Sequence, residues 1–172
     1  MQDPTGPHPS APRIDRPRIP AAYGVSKARD HVEWSHVEQR LAGERVYWIA
    51  TTSGPSGSPR VRPVDGLYLD GLIYVGGSPE TRWVRDIAAH ARVSVHLDGV
   101  DDVVIVEGDA EILTGADDDL AERLAAASNA KFPEYAVTPQ TYKSPGTIAI
   151  RPRKVIAWTD ITKDPTRFRF DS

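Results

Sequence analysis

The sequence predicts a mainly β protein, a single domain formed by an antiparallel β-barrel with flanking helices. Short runs of β-branched and aromatic residues recur along the chain between turn-forming residues, and only a few segments show the apolar spacing of a helix. The 172 residues suffice for one hydrophobic core and not for two. Barrel closure is the arrangement that leaves such short strands without exposed edges.

The composition excludes several classes of function. Hydrophobic residues make up 40% of the chain and charged residues 26%, which is typical of a globular protein. There are no cysteines, so disulfides, thiolate zinc sites, iron–sulfur clusters and cysteine nucleophiles are excluded. Redox chemistry would therefore have to come from a bound cofactor.

The charge and hydropathy patterns argue against nucleic acid and membranes as partners. The net charge is -3 and no run of Lys or Arg exceeds two residues, so the basic surface that holds a phosphate backbone is missing. No apolar run approaches the roughly 20 residues that span a bilayer, and the N-terminus lacks a basic segment followed by an apolar one. We expect a cytoplasmic protein.

Residues 1–22 are predicted to form a Pro-rich tail, disordered or extended, in front of a single domain at 23–172. The tail carries six prolines and almost no apolar content. Proline has no backbone N–H to donate, so we expect no strand ladder there.

The domain begins with a helix and a strand. Apolar residues at helical spacing predict an amphipathic helix at 30–41, and Gly43 marks its end. The β-branched and aromatic run at 45–52 predicts a strand. Residues 53–59 have the Gly, Ser and Pro content of a tight connection.

A hairpin and a helix follow. The runs 60–69 and 72–75 are predicted to pair through the turn-forming dipeptide between them, Asp-Gly. A second helix is predicted to start with Ser78 as N-cap and Pro79 at its first position. It is predicted to end at His90.

The remaining elements are four strands and one helix. Strands are predicted at 92–97 and 102–113, joined by an Asp-Gly turn, and residues 103–106 are expected to be buried on both faces. Three aspartates at 117–119 predict the first turn of a helix, where negative charge complements the helix dipole. Two last strands are predicted at 147–150 and 154–158.

An ordered set of motifs resembles the pyridoxamine 5'-phosphate oxidase-like split-barrel family. The match extends over about two thirds of the chain. Its parts are Tyr47–Thr52, the pattern Gly57-x-Pro59-x-Val61-x-Pro63-Val64, the helix at 81–87, Val93–Leu97 and Val106–Ala110. Within that family the chain resembles the flavin/deazaflavin oxidoreductases that use coenzyme F420, also through its ending Thr166-Arg167-Phe168-x-Phe170.

The resemblance implies a fold, a partner and an activity. The fold is a six-stranded antiparallel split β-barrel of the FMN-binding type. The partner is a second copy, in a homodimer whose two cofactor grooves are made by both subunits. The activity is transfer of hydride from coenzyme F420, or from FMN as the alternative cofactor, to a small unsaturated organic substrate.

The candidate cofactor-binding residues follow from the same resemblance. They are the strand along which the ring would lie, the helix start that would hold the phosphate, and one tryptophan near the C-terminus: Arg60, Val61, Arg62, Pro63, Val64, Ser78, Thr81, Arg82, Trp83, Arg85 and Trp158. A helix N-terminus offers unpaired N–H groups to a phosphate, and Arg82 and Arg85 share one helix face. Arg60 and Arg62 alternate to one side of their strand.

More ordinary interpretations of these residues remain open. The helix arginines form a solvated basic face in many proteins, and Arg60 and Arg62 equally suit a charged edge strand. Trp83 replaces a lysine of the relatives, Asp86 replaces an asparagine, and Asp65 stands where relatives often have an aromatic residue. The alternative function is therefore a non-catalytic protein that binds a cofactor, heme or a fatty acid in the same barrel. No catalytic residue and no metal site is predicted.

Overall fold

The computed structural model describes residues 11–23, 25, 28, 30–53 and 57–171. Eight strands and four α-helices lie within these residues. In chain order they are β1 (Arg13–Asp15), α1 (Trp34–Gly43), β2 (Val46–Thr52), β3 (Pro59–Leu69), β4 (Leu72–Gly76), α2 (Arg82–Ala89), β5 (Arg92–Leu97), β6 (Val103–Ile112), α3 (Asp118–Lys131), α4 (Pro139–Tyr142), β7 (Thr147–Trp158) and β8 (Thr166–Arg169). Short 3-10 turns occur at Ala21–Tyr23 and Pro133–Tyr135.

Six of the strands close into an antiparallel barrel. The order around the barrel is β2, β3, β4, β7, β6 and β5, and β5 pairs again with β2. Closure depends on β7, which pairs with β4 on one side and with β6 on the other. The prediction of a mainly β fold, a six-stranded antiparallel barrel with flanking helices, is confirmed.

The predicted hairpin and the strands around it are also confirmed. β2, β3 and β4 start or end within one residue of their predicted bounds, and β5 has the predicted bounds. Asp70 and Gly71 join β3 to β4 with φ angles of 52° and 78°. Positive φ at both positions is what a type I' turn requires, and the sequence Asp-Gly supplies it. Of the tight connection predicted at 53–59, positions 54–56 lie outside the described residues.

The barrel interior is an apolar core that α2 closes. Tyr47 and Ile49 of β2 are fully buried and point inward. Trp83, Val84 and Ile87 bring the apolar side of α2 into the same core, as their helical spacing predicts.

A second apolar core lies outside the barrel, beneath α3. Leu120 and Leu124 of α3 pack in this core with Leu67 and Tyr74, which are paired neighbours on β3 and β4. The acidic helix start is confirmed, although Asp117 is the N-cap and not part of the first turn. Its side chain accepts a hydrogen bond from the N–H of Leu120 at 2.8 Å.

The two strands predicted at 147–150 and 154–158 are one continuous strand, so that prediction is wrong. Pro152 lies opposite Gly108, where the register between β6 and β7 shifts. It also lies between the part of β7 that pairs with β4 and the part that pairs with β8. Proline is tolerated where a strand changes partner, because no ladder needs its missing N–H there.

Two outer strands, β8 and β1, extend the sheet from β7. Neither was predicted, and the expectation of no ladder in the tail is wrong for Arg13–Asp15, which pairs with β8. The carboxylate of Asp15 accepts hydrogen bonds from Arg167 at 2.5 and 2.9 Å, which fix β1 to the sheet. Residues 1–10 of the predicted tail lie outside the described residues.

Two local predictions fail because tertiary contacts decide them. The first helix begins at Trp34 and not at 30, since Val32 is buried and its N–H donates to Thr166 Oγ1 at 2.8 Å. β6 is not buried on both faces within one copy of the chain. Its inward residues Val104 and Val106 are buried, whereas the outward residues Val103 and Ile105 stay partly exposed.

Candidate cofactor site

The first half of β3 has a strand partner on one side only. Residues 59–65 pair with β2, whereas β4 pairs with residues 66–69. The opposite edge of 59–65 therefore carries backbone N–H and C=O groups that no described strand completes. Such groups need a partner, and a planar ligand with an amide-like edge can take the place of the missing strand.

Arg60 and Arg62 point to the inner side of β3, beside α2. Their paired residues on β2 are Thr51 and Ile49, which are both buried. Arg60 Nε lies 3.2 Å from Asp86 Oδ2, and the Arg62 guanidinium lies 5.6 Å from the centre of a Trp83 ring. The prediction that the two arginines share one side is confirmed, but that side faces α2.

Val61 and Pro63 point to the opposite, outer side of β3. Both are exposed, and Val61 is 56% exposed. Val64 returns to the inner side and lines a pocket described below. From 60 to 63 the strand thus separates two chemistries, with the two arginines inside and Val61 and Pro63 outside.

Buried polar atoms without a hydrogen bond concentrate at this place. Among the described residues there are four such side-chain atoms, and they belong to Thr51, Arg60, Arg62 and Asp86. Buried polar groups are paired in nearly all native structures, because an unpaired one keeps its full desolvation penalty. This concentration indicates a site built to receive an additional polar partner.

The start of α2 differs from its prediction. Ser78 does not cap the helix; its carbonyl accepts hydrogen bonds from the backbone N–H of Thr81 at 2.9 Å and from the Thr81 hydroxyl at 2.7 Å. A turn with Pro79 at its second position therefore precedes the helix, which begins at Arg82 with Thr81 in the N-cap position. Since the Thr81 hydroxyl is used in this turn, no side chain caps the first N–H groups of α2.

Arg82 and Arg85 lie on the solvent side of α2, as their spacing predicts. Both are exposed, and neither forms an ion pair within the described part of the chain. Trp83 by contrast is only 5% exposed. Its ring lies so close to Gly77 that a Cβ at Gly77 would come within 2.4 Å of it. Trp83 therefore packs in the core and offers no open surface to a ring.

A pocket of about 530 Å³ adjoins the open edge of β3, and the sequence did not predict it. Its walls include Val64–Leu67 of β3, the stretch from Tyr74 to Ser78, and the chain segment from α3 to β7. Ser78 is shared by this pocket and the turn before α2. The pocket was missed because its walls come from three separate stretches of sequence, of which only one carried a motif.

Tyr135 bridges one side of this pocket to the other. Its hydroxyl donates a hydrogen bond to the carboxylate of Asp65, and its ring stacks on Phe132 with centroids 5.4 Å apart. The hydrogen bond to Asp65 raises the pKa of Tyr135 above its usual value. Asp65 is thus paired with an aromatic residue from another part of the chain.

Lys131 lies behind the pocket, at the C-terminal end of α3. Its ammonium group donates to the carbonyl of Gly66 at 2.8 Å and lies 5.0 Å from the centre of the Tyr47 ring. Burial lowers the pKa of Lys131 to about 8, although the nearby carboxylate of Glu44 opposes the shift.

Trp158 does not join the other candidate residues within one copy of the chain. It ends β7, opposite Val103, and on that side of the barrel β6, β5 and β2 lie between it and Val61 and Pro63. All of these residues belong to an outer apolar face, which we define as Val61, Pro63, Trp48, His96, Ile105, Ile156 and Trp158. The register aligns five of them in a single row across the barrel: Pro63, Trp48, His96, Ile105 and Ile156.

The residues present fit an anionic, ring-bearing ligand such as a flavin or deazaflavin. The open edge of β3 suits the polar rim of a planar ring, and the pocket has room beside it. The free arginines Arg82 and Arg85, with the uncapped N–H groups of α2, suit a phosphate. Arg60 is less suited to hold an anion, because the carboxylate of Asp86 already neutralises its charge.

Two features are absent from the described residues. No helix there is long and apolar enough to cross a membrane. No group of three or more His, Asp or Glu side chains there is arranged to hold a metal ion.

Three solved structures share the fold. A FAD-binding protein from Mesorhizobium loti is 20% identical, with 82% of this chain and 96% of that chain covered and a TM-score of 0.56. An F420 reductase is 19% identical, with 68% and 94% covered and a TM-score of 0.52. The heme storage protein HutZ from Vibrio cholerae is 16% identical, with 71% and 90% covered and a TM-score of 0.56. At these identities the likeness shows the fold alone.

Sequence comparison identifies the family. No curated protein is significantly similar to the chain. The family model described as pyridoxamine 5'-phosphate oxidase, however, matches residues 34–159. This match runs from α1 to the end of β7 and includes the whole barrel, so the chain belongs to the pyridoxamine 5'-phosphate oxidase-like split-barrel family.

Proposed function

We propose that this protein is an oxidoreductase that binds coenzyme F420 and transfers hydride to a small unsaturated organic substrate, with FMN as the alternative cofactor. The observation that carries the proposal is the unpaired half of β3, at residues 59–65, which continues directly into the wall of the 530 Å³ pocket. A flavin-binding protein and an F420 reductase are among the structures with the same fold, which supports this choice of cofactor.

The residues of this chain would bind the cofactor and orient its ring. The backbone edge at 59–65 would position the rim of the ring by hydrogen bonds, since these groups have no strand partner. Arg82 and Arg85 would hold the anionic part of the cofactor by charge-assisted hydrogen bonds. The pocket, roofed by Tyr135, would admit a small substrate beside the ring and exclude water. The bound cofactor supplies the hydride chemistry, so no catalytic triad is needed.

We propose a second copy of the chain as the partner that completes the groove. The outer apolar face is covered by no described element, and it carries two tryptophans and several aliphatic side chains on one continuous surface. A two-fold arrangement about the middle of this face would bring Trp158 of one copy towards Val61 and Pro63 of the other. Residues that lie apart on this face within one copy would then meet.

The first prediction tests the cofactor. Absorbance and fluorescence titrations of the purified protein with coenzyme F420, FMN and hemin are expected to show saturable binding of F420 or FMN. Replacing both Arg82 and Arg85 with alanine is expected to weaken that binding by about tenfold or more, which corresponds to the loss of roughly one charge-assisted contact.

The matched control removes two arginines elsewhere. Arg92 and Arg153 both pair with Asp109, outside the candidate site, so their replacement by alanine lowers the net charge equally without touching the site. Equal affinities of the protein and the Arg82/Arg85 variant would refute the phosphate assignment. Failure of F420 and FMN to bind at all would refute the proposed oxidoreductase.

A non-catalytic binding protein is the second candidate function. One observation favours it: Arg60 is paired with Asp86, which reduces the positive charge that a phosphate would meet. The hemin titration separates the two candidates, because saturable binding of hemin alone would support the second. Among the described pocket walls, the side chains of the types that can hold heme iron are tyrosines, including Tyr135 and Tyr142.

A further inference from the structure

We propose that Asp86 is an internal counter-ion that competes with the anionic group of a ligand for Arg60, and so sets the affinity of the site for phosphate. This rests on the proposed function in one respect, namely that the ligand of the site is anionic.

Among the ion pairs of the described residues, the pair of Arg60 with Asp86 has the most deeply buried acidic side chain. Its side chain is 7% exposed, whereas the acidic partner in every other ion pair is at least 29% exposed. Burying a carboxylate carries a desolvation penalty that an ion pair offsets only when additional hydrogen bonds satisfy its oxygens. An ordinary stabilising role would therefore require good hydrogen bonding.

That hydrogen bonding is incomplete. Asp86 Oδ2 and Arg60 Nε are 3.2 Å apart, yet neither atom has a hydrogen bond of acceptable direction, and both are buried. Thr51 Oγ1 and Arg62 Nε, on the same inner face, are buried and unpaired as well. The cluster thus holds two guanidinium groups, one hydroxyl and one carboxylate, with charge attraction but incomplete pairing. Such a cluster is arranged for a ligand and not for maximum stability.

Arg60 remains accessible to a competitor. About a third of its side chain is exposed, at 34%, although its Nε is buried. An oxyanion that approaches Arg60 meets the negative charge of Asp86 a few ångströms away, in surroundings that screen charge poorly. Removing that charge while keeping the shape of the side chain should therefore tighten anion binding.

The test compares the native protein with Asp86→Asn. Binding of inorganic pyrophosphate and of FMN is measured by calorimetry at two salt concentrations. We expect Asp86→Asn to bind both probes about tenfold or more tightly, which equals roughly 1.4 kcal/mol. The control Glu111→Gln removes one exposed negative charge from β6 and is expected to leave both affinities within about twofold.

The outcomes distinguish this inference from the proposed function. Tighter pyrophosphate binding by Asp86→Asn with no binding of FMN or F420 supports the counter-ion and refutes the oxidoreductase. Equal FMN affinity in both proteins refutes the counter-ion and leaves the oxidoreductase intact. Thermal unfolding checks that Asp86→Asn is folded. If it is not folded, Asp86→Ala replaces it in the test, since alanine is also neutral and favours a helix.

Discussion

Lys131 is a cation that the fold places among apolar groups at the back of the pocket. Its pKa is lowered to about 8, chiefly by burial, whereas an unfolded lysine titrates near its ordinary value. The unfolded chain therefore binds more protons than the folded chain above about pH 8. The cost of the buried charge is fully present below that pH, and stability rises as the pH increases towards the ordinary lysine value.

We predict that the free energy of unfolding of the native protein rises by about 1 kcal/mol between about pH 7.5 and about pH 9.5, measured against Lys131→Met. The figure is smaller than the full pKa shift implies, because solvent screens a group that is only partly buried. Urea unfolding at the two pH values measures it. Lys143→Met is the control, since the hydrogen bond to Asp118 raises the pKa of Lys143 and keeps it charged over this range. An identical pH slope in native protein and Lys131→Met would contradict the prediction.

The arginines of the site show how one residue type has different roles at neighbouring positions. Arg60 and Arg62 are held on the inner side of β3 by contacts to Asp86 and Trp83. Arg82 and Arg85 have no ion pair within the described residues and extend into solvent. We therefore expect substitutions in the first pair to change stability and affinity together, and those in the second pair to change affinity alone.

At the level of elements, β3 depends on a glycine at the point where it changes partner. Gly66 begins the pairing with β4, directly after the half that pairs with β2. A Cβ at Gly66 would lie 2.2 Å from Cδ2 of Tyr47. Tyr47 cannot retreat, because it is fully buried and its hydroxyl donates to the carbonyl of Leu41. The close approach of strand and ring thus requires glycine.

We predict that Gly66→Ala lowers the free energy of unfolding by about 1–3 kcal/mol, the usual cost of overpacking a core. Gly76→Ala is the matched control on the adjacent strand, since a Cβ there meets nothing within 4 Å. We expect the control to change stability by no more than about 0.5 kcal/mol. Chemical denaturation of the three proteins measures both effects, and a Gly66→Ala variant as stable as the native protein would show that Tyr47 is free to move.

At the level of the whole molecule, we expect the outer apolar face to determine whether the protein is a monomer or a dimer. We predict that the native protein is a dimer and that Val61→Glu makes it monomeric, because a carboxylate in an apolar interface loses its hydration without gaining a partner. Light scattering after size-exclusion chromatography measures the mass. Cofactor affinity should fall when dimerisation is lost, since the groove would then lack its second wall.

Val100→Glu is the control for that experiment. Val100 is 84% exposed, more than Val61, but it lies in the turn between β5 and β6. We expect it to leave the dimer intact. A native protein that is monomeric at all concentrations tested, or equal effects of the two substitutions, would rule out this face as the interface.

The sequence alone determined most of the barrel and part of the site. β5 has its predicted bounds, and the Asp70-Gly71 turn adopts the predicted positive φ angles, because both depend on local preferences of the backbone. The shared face of Arg82 and Arg85 follows from helix periodicity in the same way. These features need no information from distant parts of the chain.

Other features depend on partners far away in sequence and were set by tertiary contacts. The position of Asp86 beside Arg60, the roof of Tyr135 over the pocket and the strand at Arg13–Asp15 all join segments whose contact no local pattern encodes. Pro152 inside β7 is the clearest case, since local rules end a strand at proline. The barrel accepts it because β7 exchanges β4 for β8 at that point, and the missing N–H has no ladder to complete.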